Sequence, residues 1–403
     1  MKIGLLRENK TPPDKRVPLT PEQCVEVQQK FPGIKLVVQP SAIRCFKDDE
    51  YKSLGIQLNE DMSECDILLG VKEVRVEDFL EDKKYLMFSH TIKKQSYNRK
   101  LLQTVLNKNV QLIDYETLTD KEGFRIIGFG RFAGLVGAYS GIRAYGIRNR
   151  LFDIKPAHKC DDLSEMLEQL DTIKLPPVKI AVTGNGRVAN GVFEILNYMK
   201  ILKLTPEKYL QIQKSSEPVC VQLFPGNYVR RKDGSEFDLF HFFNNPGMYE
   251  NNFLPFAETT DLLIASAYWD PKSPVLFTVD DIKRKPFQIS VISDITCDIE
   301  GSIPTTKKAS TIDDPFYDYN PETEELEPAF SSEKNITVQA VDNLPCELPK
   351  DASLDFGRNL INKVFSSLFG EDTDGIIERA SITKDGKLTF RYSYLQDFAD
   401  GNG

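Results

Sequence analysis

The sequence has no long apolar run and few of the residues that bind metals. No apolar stretch approaches the roughly 18 residues that a membrane-spanning helix needs, so a transmembrane protein is not expected. The three histidines show neither HxH nor HExxH spacing, which argues against a histidine-based catalytic metal. The seven cysteines are scattered and form no C-x-x-C pair. The sequence therefore predicts neither a disulfide framework nor a zinc site, and we expect no metal.

The charge distribution narrows the choice of partner. The net charge is −9 and no block of basic residues occurs, which argues against nucleic acid or an anionic membrane surface. The first residues, MKIGLLRE, are too short a run and too charged for a signal peptide, so we expect a first strand in a cytoplasmic protein. A length of 403 residues favours two domains.

A glycine turn is the strongest local signal. The β-branched run 178–183 predicts a strand, and residues 188–199 have apolar positions at helical spacing. Between them, Gly184 permits a tight turn, Gly186 allows close approach of a pyrophosphate, and Ala189 allows close packing of helix on strand. The helix N-terminus adds N–H groups for phosphate. The turn predicts a dinucleotide site, although a plain strand–turn–helix connection remains an alternative.

Strands that alternate with helices predict parallel sheets. Lys72 follows the apolar run 65–71, and His90 follows the apolar run 85–89. Open α/β sheets place ligands at the carboxyl ends of their strands. Two titratable side chains at two such ends indicate a site there, although either could be an ordinary surface or structural residue.

The predicted fold is α/β, with two Rossmann-like domains that have parallel sheets and a substrate cleft between them. Residues 1–134 plus 336–403 are predicted to form the substrate or catalytic domain, and residues 135–335 the dinucleotide-binding domain. The acidic, proline-punctuated stretch 313–328 predicts a solvated loop. Residues 355–369 predict one amphipathic helix that returns to the first domain.

Nine ordered segments resemble the lysine-forming saccharopine dehydrogenases and the lysine–ketoglutarate reductase domain, within the alanine dehydrogenase and transhydrogenase superfamily. The resemblance covers nearly the whole chain. The segments are Leu6–Glu8, Lys15–Pro21, Leu69–Glu73, Phe88–Gln95, Asp114–Glu116, Arg125–Gly130, Phe132–Gly134, Asp294–Ile303 and Val341–Pro345.

The resemblance implies an enzyme that joins an amine to an oxo acid and reduces the imine with a nicotinamide cofactor. Lys72 and His90 match the general acid–base pair, and a lysine serves near neutral pH only if its surroundings lower its pKa. Arg16 and Arg125 match ligands of substrate carboxylates, which a planar guanidinium binds through two hydrogen bonds. The neighbouring substrate contacts that the resemblance implies are Gln95, Phe129 and Glu116.

The implied cofactor is NAD or NADP. Its contacts would be Gly184, Gly186, Arg187, Val188, Ala189, Tyr268, Ile295, Thr296, Cys297, Asp298, Val341, Asp342, Asn343 and Leu344. NAD-specific domains usually carry an acid at the end of the second strand, but none follows the predicted strand 219–224 before Arg230 and Arg231. We therefore expect these arginines to be candidates for pairing with a 2′-phosphate. The alternative is that the second strand is misplaced and that Asp233 or Glu236 binds the ribose.

Three functions remain open at this point. The first is a saccharopine dehydrogenase-like reaction between lysine and 2-oxoglutarate, in either direction. The second is alanine dehydrogenase-like deamination of a small amino acid, which needs fewer cationic anchors. The third is a non-catalytic or transhydrogenase-like dinucleotide-binding subunit. The expected partners of the first two are small amino acids and oxo acids, and the sequence leaves the oligomeric state open.

Overall fold

The computed structural model describes residues 1–9, 11 and 13–402. It divides into two compact units, unit 1 with residues 1–129 and 349–403 and unit 2 with residues 130–348. The predicted boundaries fell after residues 134 and 335. Residues 130–134 lie instead in a helix of unit 2, and residues 336–339 form a strand of the unit 2 sheet, which explains both differences.

The strands of the described residues are β1 (Lys2–Leu5), β2 (Lys35–Val38), β3 (Gln57–Leu58), β4 (Ile67–Leu69), β5 (Lys84–Met87), β6 (Gln111–Asp114), β7 (Lys179–Thr183), β8 (Leu202–Leu204), β9 (Val219–Leu223), β10 (Val229–Arg231), β11 (Tyr249–Asn251), β12 (Leu262–Ala265), β13 (Val291–Asp294), β14 (Phe316–Tyr319), β15 (Leu326–Glu327), β16 (Ile336–Gln339), β17 (Ser381–Lys384) and β18 (Lys387–Leu388). The α-helices are α1 (Pro21–Lys30), α2 (Asp48–Ser53), α3 (Arg99–Asn107), α4 (Gly130–Arg148), α5 (Leu163–Asp171), α6 (Arg187–Tyr198), α7 (Pro206–Gln211), α8 (Pro225–Tyr228), α9 (Leu239–Asn244), α10 (Leu254–Ala257), α11 (Val279–Lys283), α12 (Pro349–Lys363), α13 (Phe365–Phe369), α14 (Ile376–Ala380) and α15 (Gln396–Asp400).

The sheet of unit 1 has the order β18-β17-β6-β5-β4-β1-β2-β3. The strands from β6 to β3 are parallel, and β17 and β18 add an antiparallel edge. Residues of β4 are apolar on both faces because each face carries its own core cluster, with Leu69 in one and Leu68 in the other. The carboxyl ends of β1, β4, β5 and β6 therefore meet along one edge.

The sheet of unit 2 repeats this plan with the order β15-β14-β16-β13-β12-β7-β9-β8. The strands from β16 to β8 are parallel, and β14 and β15 form the antiparallel edge. Both units are thus α/β with mostly parallel sheets, and the predicted fold class is confirmed.

Two helices of unit 2 pack backbone against backbone. A Cβ at Gly134 of α4 would stand 2.0 Å from the carbonyl oxygen of Val188, and one at Gly191 of α6 would stand 2.0 Å from that of Arg131. Any larger residue would force the helices apart. Gly130 and Gly134 of α4 thus allow its close contact with α6, whereas Gly137 faces Ile295.

The stretch 313–328 was predicted as a solvated loop, and this prediction was wrong. Its residues Phe316–Tyr319 form the buried strand β14, which pairs antiparallel with β16. The predicted helix 355–369 begins earlier, at Pro349, and is interrupted at Val364, so that it forms α12 and α13.

Within the described residues, no helix is long and apolar enough to cross a membrane. In that same part of the chain, no group of three or more His, Cys, Asp or Glu side chains could hold a metal ion. All seven cysteines are free thiols.

Candidate active site

Lys72 follows the carboxyl end of β4 and is held there through its backbone. The carboxylate of Glu8, which follows β1, accepts the backbone N–H of Val71 at 2.7 Å and that of Lys72 at 2.9 Å. Glu8 is buried, with 7% of its surface exposed. Because both oxygens bind consecutive N–H groups, Glu8 fixes the backbone from which the Lys72 side chain projects.

A cavity of about 340 Å³ opens beside this contact in unit 1. Its lining includes Glu8, Lys72 and Glu73, together with Tyr85 of β5 and Phe79 from the connection before β5. Lys72 is half-buried at this wall. The cavity is therefore large enough for a small molecule next to the lysine.

His90 follows the carboxyl end of β5 in a left-handed backbone conformation, with φ of 54°. The turn is held by buried Asp114 at the end of β6, which accepts the Ser89 N–H at 3.0 Å and also the Ser89 hydroxyl. The Ser89 hydroxyl is in turn 2.9 Å from that of Thr91. Burial raises the pKa of Asp114 to about 6. This network holds the turn before His90 at the same edge of the sheet as Lys72.

Glu116 joins the group around His90. One of its oxygens lies 3.9 Å from Nδ1 of His90, and the other lies 3.4 Å from Nζ of Lys93. Burial lowers the pKa of His90, although Glu116 and Glu73 act to raise it and the charge of Lys72 acts to lower it. Lys72 and His90 are thus close enough to influence each other electrostatically.

Arg16 is buried in a bidentate pair with Asp14. Its Nε donates to Oδ1 at 3.0 Å and its Nη2 donates to Oδ2 at 2.6 Å. The side chains are 3% and 2% exposed. Burial acts to raise the pKa of Asp14, but Arg16 and then Lys72 outweigh it, so that the pKa falls to about 2. Asp14 therefore lies close enough to both Arg16 and Lys72 for their charges to lower its pKa.

Aromatic side chains pack against the two arginines of this group. The Arg16 guanidinium lies 4.1 Å over the ring of Phe129, which stacks on Phe356 at 4.5 Å. Arg125 lies 5.3 Å over the ring of Phe88 and is itself exposed. Gln95 is also exposed, and its side-chain oxygen accepts the hydroxyl of Tyr97 at 2.7 Å. Unit 1 thus gathers Lys72, His90, Glu116, Arg16 and Phe129, with Arg125 beside them and Gln95 at the surface.

The glycine turn of unit 2 has the geometry that a pyrophosphate requires. Gly184 has φ of +98°, and a Cβ there would stand 3.1 Å from the backbone of Ala267. No heavy atom of the described residues lies within 4 Å of a Cβ position at Gly186. Helix α6 begins at Arg187, and Ala189 in its first turn is fully buried. The residues present therefore fit a bound dinucleotide.

The other predicted cofactor contacts follow neighbouring strands of the same sheet. Tyr268 lies in the loop after β12 and is 86% exposed. Ile295 to Asp298 follow β13, and Val341 to Leu344 follow β16. Since β7, β12, β13 and β16 are parallel, all of these segments and the glycine turn lie at one edge of unit 2.

The predicted 2′-phosphate candidates lie apart from the main sheet of unit 2. Arg230 and Arg231 belong to the two-stranded β10–β11 hairpin. Arg230 pairs with Glu250 at 2.7 Å, and Arg231 pairs with Asp233 at 2.6 Å. Both arginines therefore already have carboxylate partners.

Comparison with known proteins agrees with this layout. Residues 4–136 match the family Alanine dehydrogenase/PNT, N-terminal domain. An alpha-aminoadipic semialdehyde synthase of Arabidopsis thaliana is 29% identical over 99% of this chain. A saccharopine dehydrogenase [NAD(+), L-lysine-forming] of Yarrowia lipolytica is 24% identical over 90% of each chain. The chain is similar in sequence to both enzymes. It spans only 42% of the Arabidopsis protein. The activity of that whole protein therefore does not follow for this chain.

A solved L-alanine dehydrogenase covers all of this chain, and is itself fully covered, with a TM-score of 0.64 and 13% identity. At that identity the likeness concerns the fold alone, and it agrees with the two mostly parallel sheets. The predicted resemblance to saccharopine dehydrogenases and their alanine dehydrogenase-like superfamily is confirmed.

Sequence reasoning gave no role to three buried acids. Glu8 lies in one of the segments that carry the resemblance, and Asp14 lies next to another. Their bonds to the Lys72 backbone and to Arg16 form only in the folded protein. Asp294 accepts hydrogen bonds from Thr296 and Cys297 and so shapes the predicted cofactor loop after β13. The sequence signal available for Asp294 was an acid at the end of an apolar run that predicts a buried strand.

The free energy of unfolding is expected to fall as the pH rises from about 4.5 to about 8. Burial, followed by the nearby charge of Asp14, raises the pKa of Glu8 from 4.5 to about 8 in the folded protein. The stabilisation that Glu8 contributes is on the order of a few kcal/mol. It is fully present below the pKa of the unfolded state and is lost as the pH approaches the pKa of the folded state. Glu8→Gln should flatten this part of a plot of urea-unfolding free energy against pH. Identical plots for both proteins would contradict the assignment.

Proposed function

We propose that this protein is an NAD(P)-dependent oxidoreductase acting on a C–N bond. It would join the amine of lysine to 2-oxoglutarate and reduce the imine to saccharopine, or catalyse the reverse reaction. The observation that supports this most is the placement of Lys72 and His90 at neighbouring parallel strand ends, next to a buried arginine. The relatives' printed names supply the substrate class.

Imine formation needs one group that takes a proton from the amine and one that gives a proton to the departing oxygen. Because burial lowers the pKa of His90, its imidazole is neutral at pH 7 and suits the first task. Lys72, when protonated, suits the second. Glu116 lies within 4 Å of the imidazole and would stabilise its protonated form.

Arg16 and Arg125 would bind carboxylates of the oxo acid, with Phe129 and Gln95 beside them. Asp14 binds Nε and Nη2 of Arg16 and so fixes the orientation of the guanidinium that the substrate would meet. In unit 2, Gly184 to Ala189 would hold the pyrophosphate, and the segments after β12, β13 and β16 would border the rest of the cofactor. Bound NAD(P)H would supply the hydride that reduces the imine.

The test is a spectrophotometric screen of NADH and NADPH oxidation. Each of 2-oxoglutarate, pyruvate and glyoxylate is paired with lysine, other amines and ammonia. Oxidation that needs both lysine and 2-oxoglutarate supports the proposal. Oxidation with pyruvate and ammonia alone would favour the alanine dehydrogenase-like alternative, and binding of cofactor without oxidation would favour a non-catalytic subunit. The cytoplasmic location expected from the sequence stays a prediction.

A further inference from the structure

The strand beside the glycine turn ends without an acid. Strand β9 pairs directly with β7, so its carboxyl end lies next to Gly184. This is where nucleotide-binding domains place the acid that holds the adenosine ribose. Gln222 is the last residue but one of the strand, and no Asp or Glu occurs from Val219 to Lys232. A 2′-phosphate would therefore meet no carboxylate on this segment.

Gln222 connects the glycine turn to a cation. Its side-chain nitrogen donates to the carbonyl of Gly184 at 2.9 Å, and its side-chain oxygen accepts Nζ of Lys203 at 2.6 Å. Lys203 lies on β8, which pairs with β9. The amide thus stands between the first glycine of the turn and the ammonium group of Lys203.

Lys203 differs from the two arginines in its surroundings. It is exposed, its Nζ lies 4.2 Å over the ring of Phe193 on α6, and no carboxylate of the described residues lies within 4.0 Å of that nitrogen. Arg230 and Arg231 are each held by a carboxylate on the β10–β11 hairpin or next to it. A phosphate at the end of β9 would therefore find the Lys203 charge available without breaking an ion pair.

We propose that Lys203 and Gln222 recognise the 2′-phosphate of NADPH, and that Arg230 and Arg231 do not. The ammonium group would pair with the phosphate, and Gln222 would orient it at the glycine turn. This inference rests on the proposed function, because it assumes that the turn binds a nicotinamide dinucleotide.

The test is titration calorimetry of the full chain with NADPH and with NADH. Lys203→Met keeps an unbranched side chain of similar length and removes the charge, so it should weaken NADPH binding roughly tenfold to a hundredfold, as for a charge-assisted hydrogen bond. NADH binding should change less than about twofold in affinity, as expected where no such bond is lost. Gln222→Glu should weaken NADPH and favour NADH, because it restores a carboxylate at the end of β9.

Two controls make the result decisive. Lys208→Met removes an exposed lysine of α7, and Arg230→Ala with Arg231→Ala removes the paired arginines. Both should leave the NADPH affinity unchanged. The inference is overturned if the double arginine variant loses NADPH while Lys203→Met does not, or if the wild-type protein binds NADH but not NADPH. Failure of both dinucleotides to bind would overturn the proposed function instead.

Discussion

Replacing Lys72 with Met, or His90 with Gln, is expected to lower turnover by about 10²–10⁴-fold, which is the usual worth of one acid–base group. Met keeps the length of the lysine stem and Gln keeps a polar side chain, so the loss would reflect proton transfer. The Glu8 bonds to the Val71 and Lys72 backbone do not involve the lysine side chain and should survive in the first variant. Dinucleotide affinity should stay unchanged, because the glycine turn belongs to unit 2.

Matched controls separate this effect from general damage. Lys100→Met changes an exposed lysine of α3, and His241→Gln changes the histidine that lies 3.0 Å from the Tyr249 hydroxyl in unit 2. Neither should lower turnover by more than about twofold, far less than the loss of an acid–base group. Wild-type rates for both the Lys72 and the His90 variants would remove these residues from the chemistry.

Replacing Arg16 with Met is expected to lower the free energy of unfolding by about 3–5 kcal/mol, because it removes one partner of a buried ion pair. Asp14 would lose its bidentate partner while it stays 2% exposed. The variant should also gain stability as the pH falls and the carboxyl is protonated, since the pair no longer holds the pKa of Asp14 near 2. Urea unfolding at several pH values measures both effects.

The chain offers a matched surface pair as the control. Arg7 donates to Glu60 at 3.0 Å, and these side chains are 33% and 62% exposed, so Arg7→Met should cost at most about 1 kcal/mol. Combining Arg16→Met with Asp14→Asn removes both charges and should recover part of the loss. Equal costs for the two single arginine variants would show that the Asp14–Arg16 pair is not buried in solution.

The general layout could be predicted from the sequence because it depends on local patterns. Short apolar runs with glycine, proline and capping residues predict the strands and helices, as with Thr20, whose hydroxyl accepts the Gln23 N–H at the start of α1. Parallel strands then bring the residues after them to one edge, which predicted that Lys72 and His90 would lie close together.

The supporting acids could not be predicted in this way. The bond from Glu8 to the Lys72 backbone spans 64 positions, and its geometry depends on the β1–β4 register. The structure of 313–328 was missed because its acidic and proline content outweighed the aromatic residues of β14. In the fold, Asp318 is buried and accepts the Thr337 hydroxyl at 2.7 Å, so a charge that signals solvent in sequence is satisfied inside the sheet.

The most direct test of the proposed chemistry follows the transferred hydrogen. Lysine, 2-oxoglutarate and NAD(P)H that carries deuterium at both positions of the nicotinamide C4 are incubated with the protein, and the amine product is examined by mass spectrometry and NMR. The proposal predicts a secondary amine that joins the two substrates and carries deuterium on the former oxo carbon. Cofactor oxidation without deuterium in such an amine, or no oxidation with any pair of lysine and oxo acid, would contradict it.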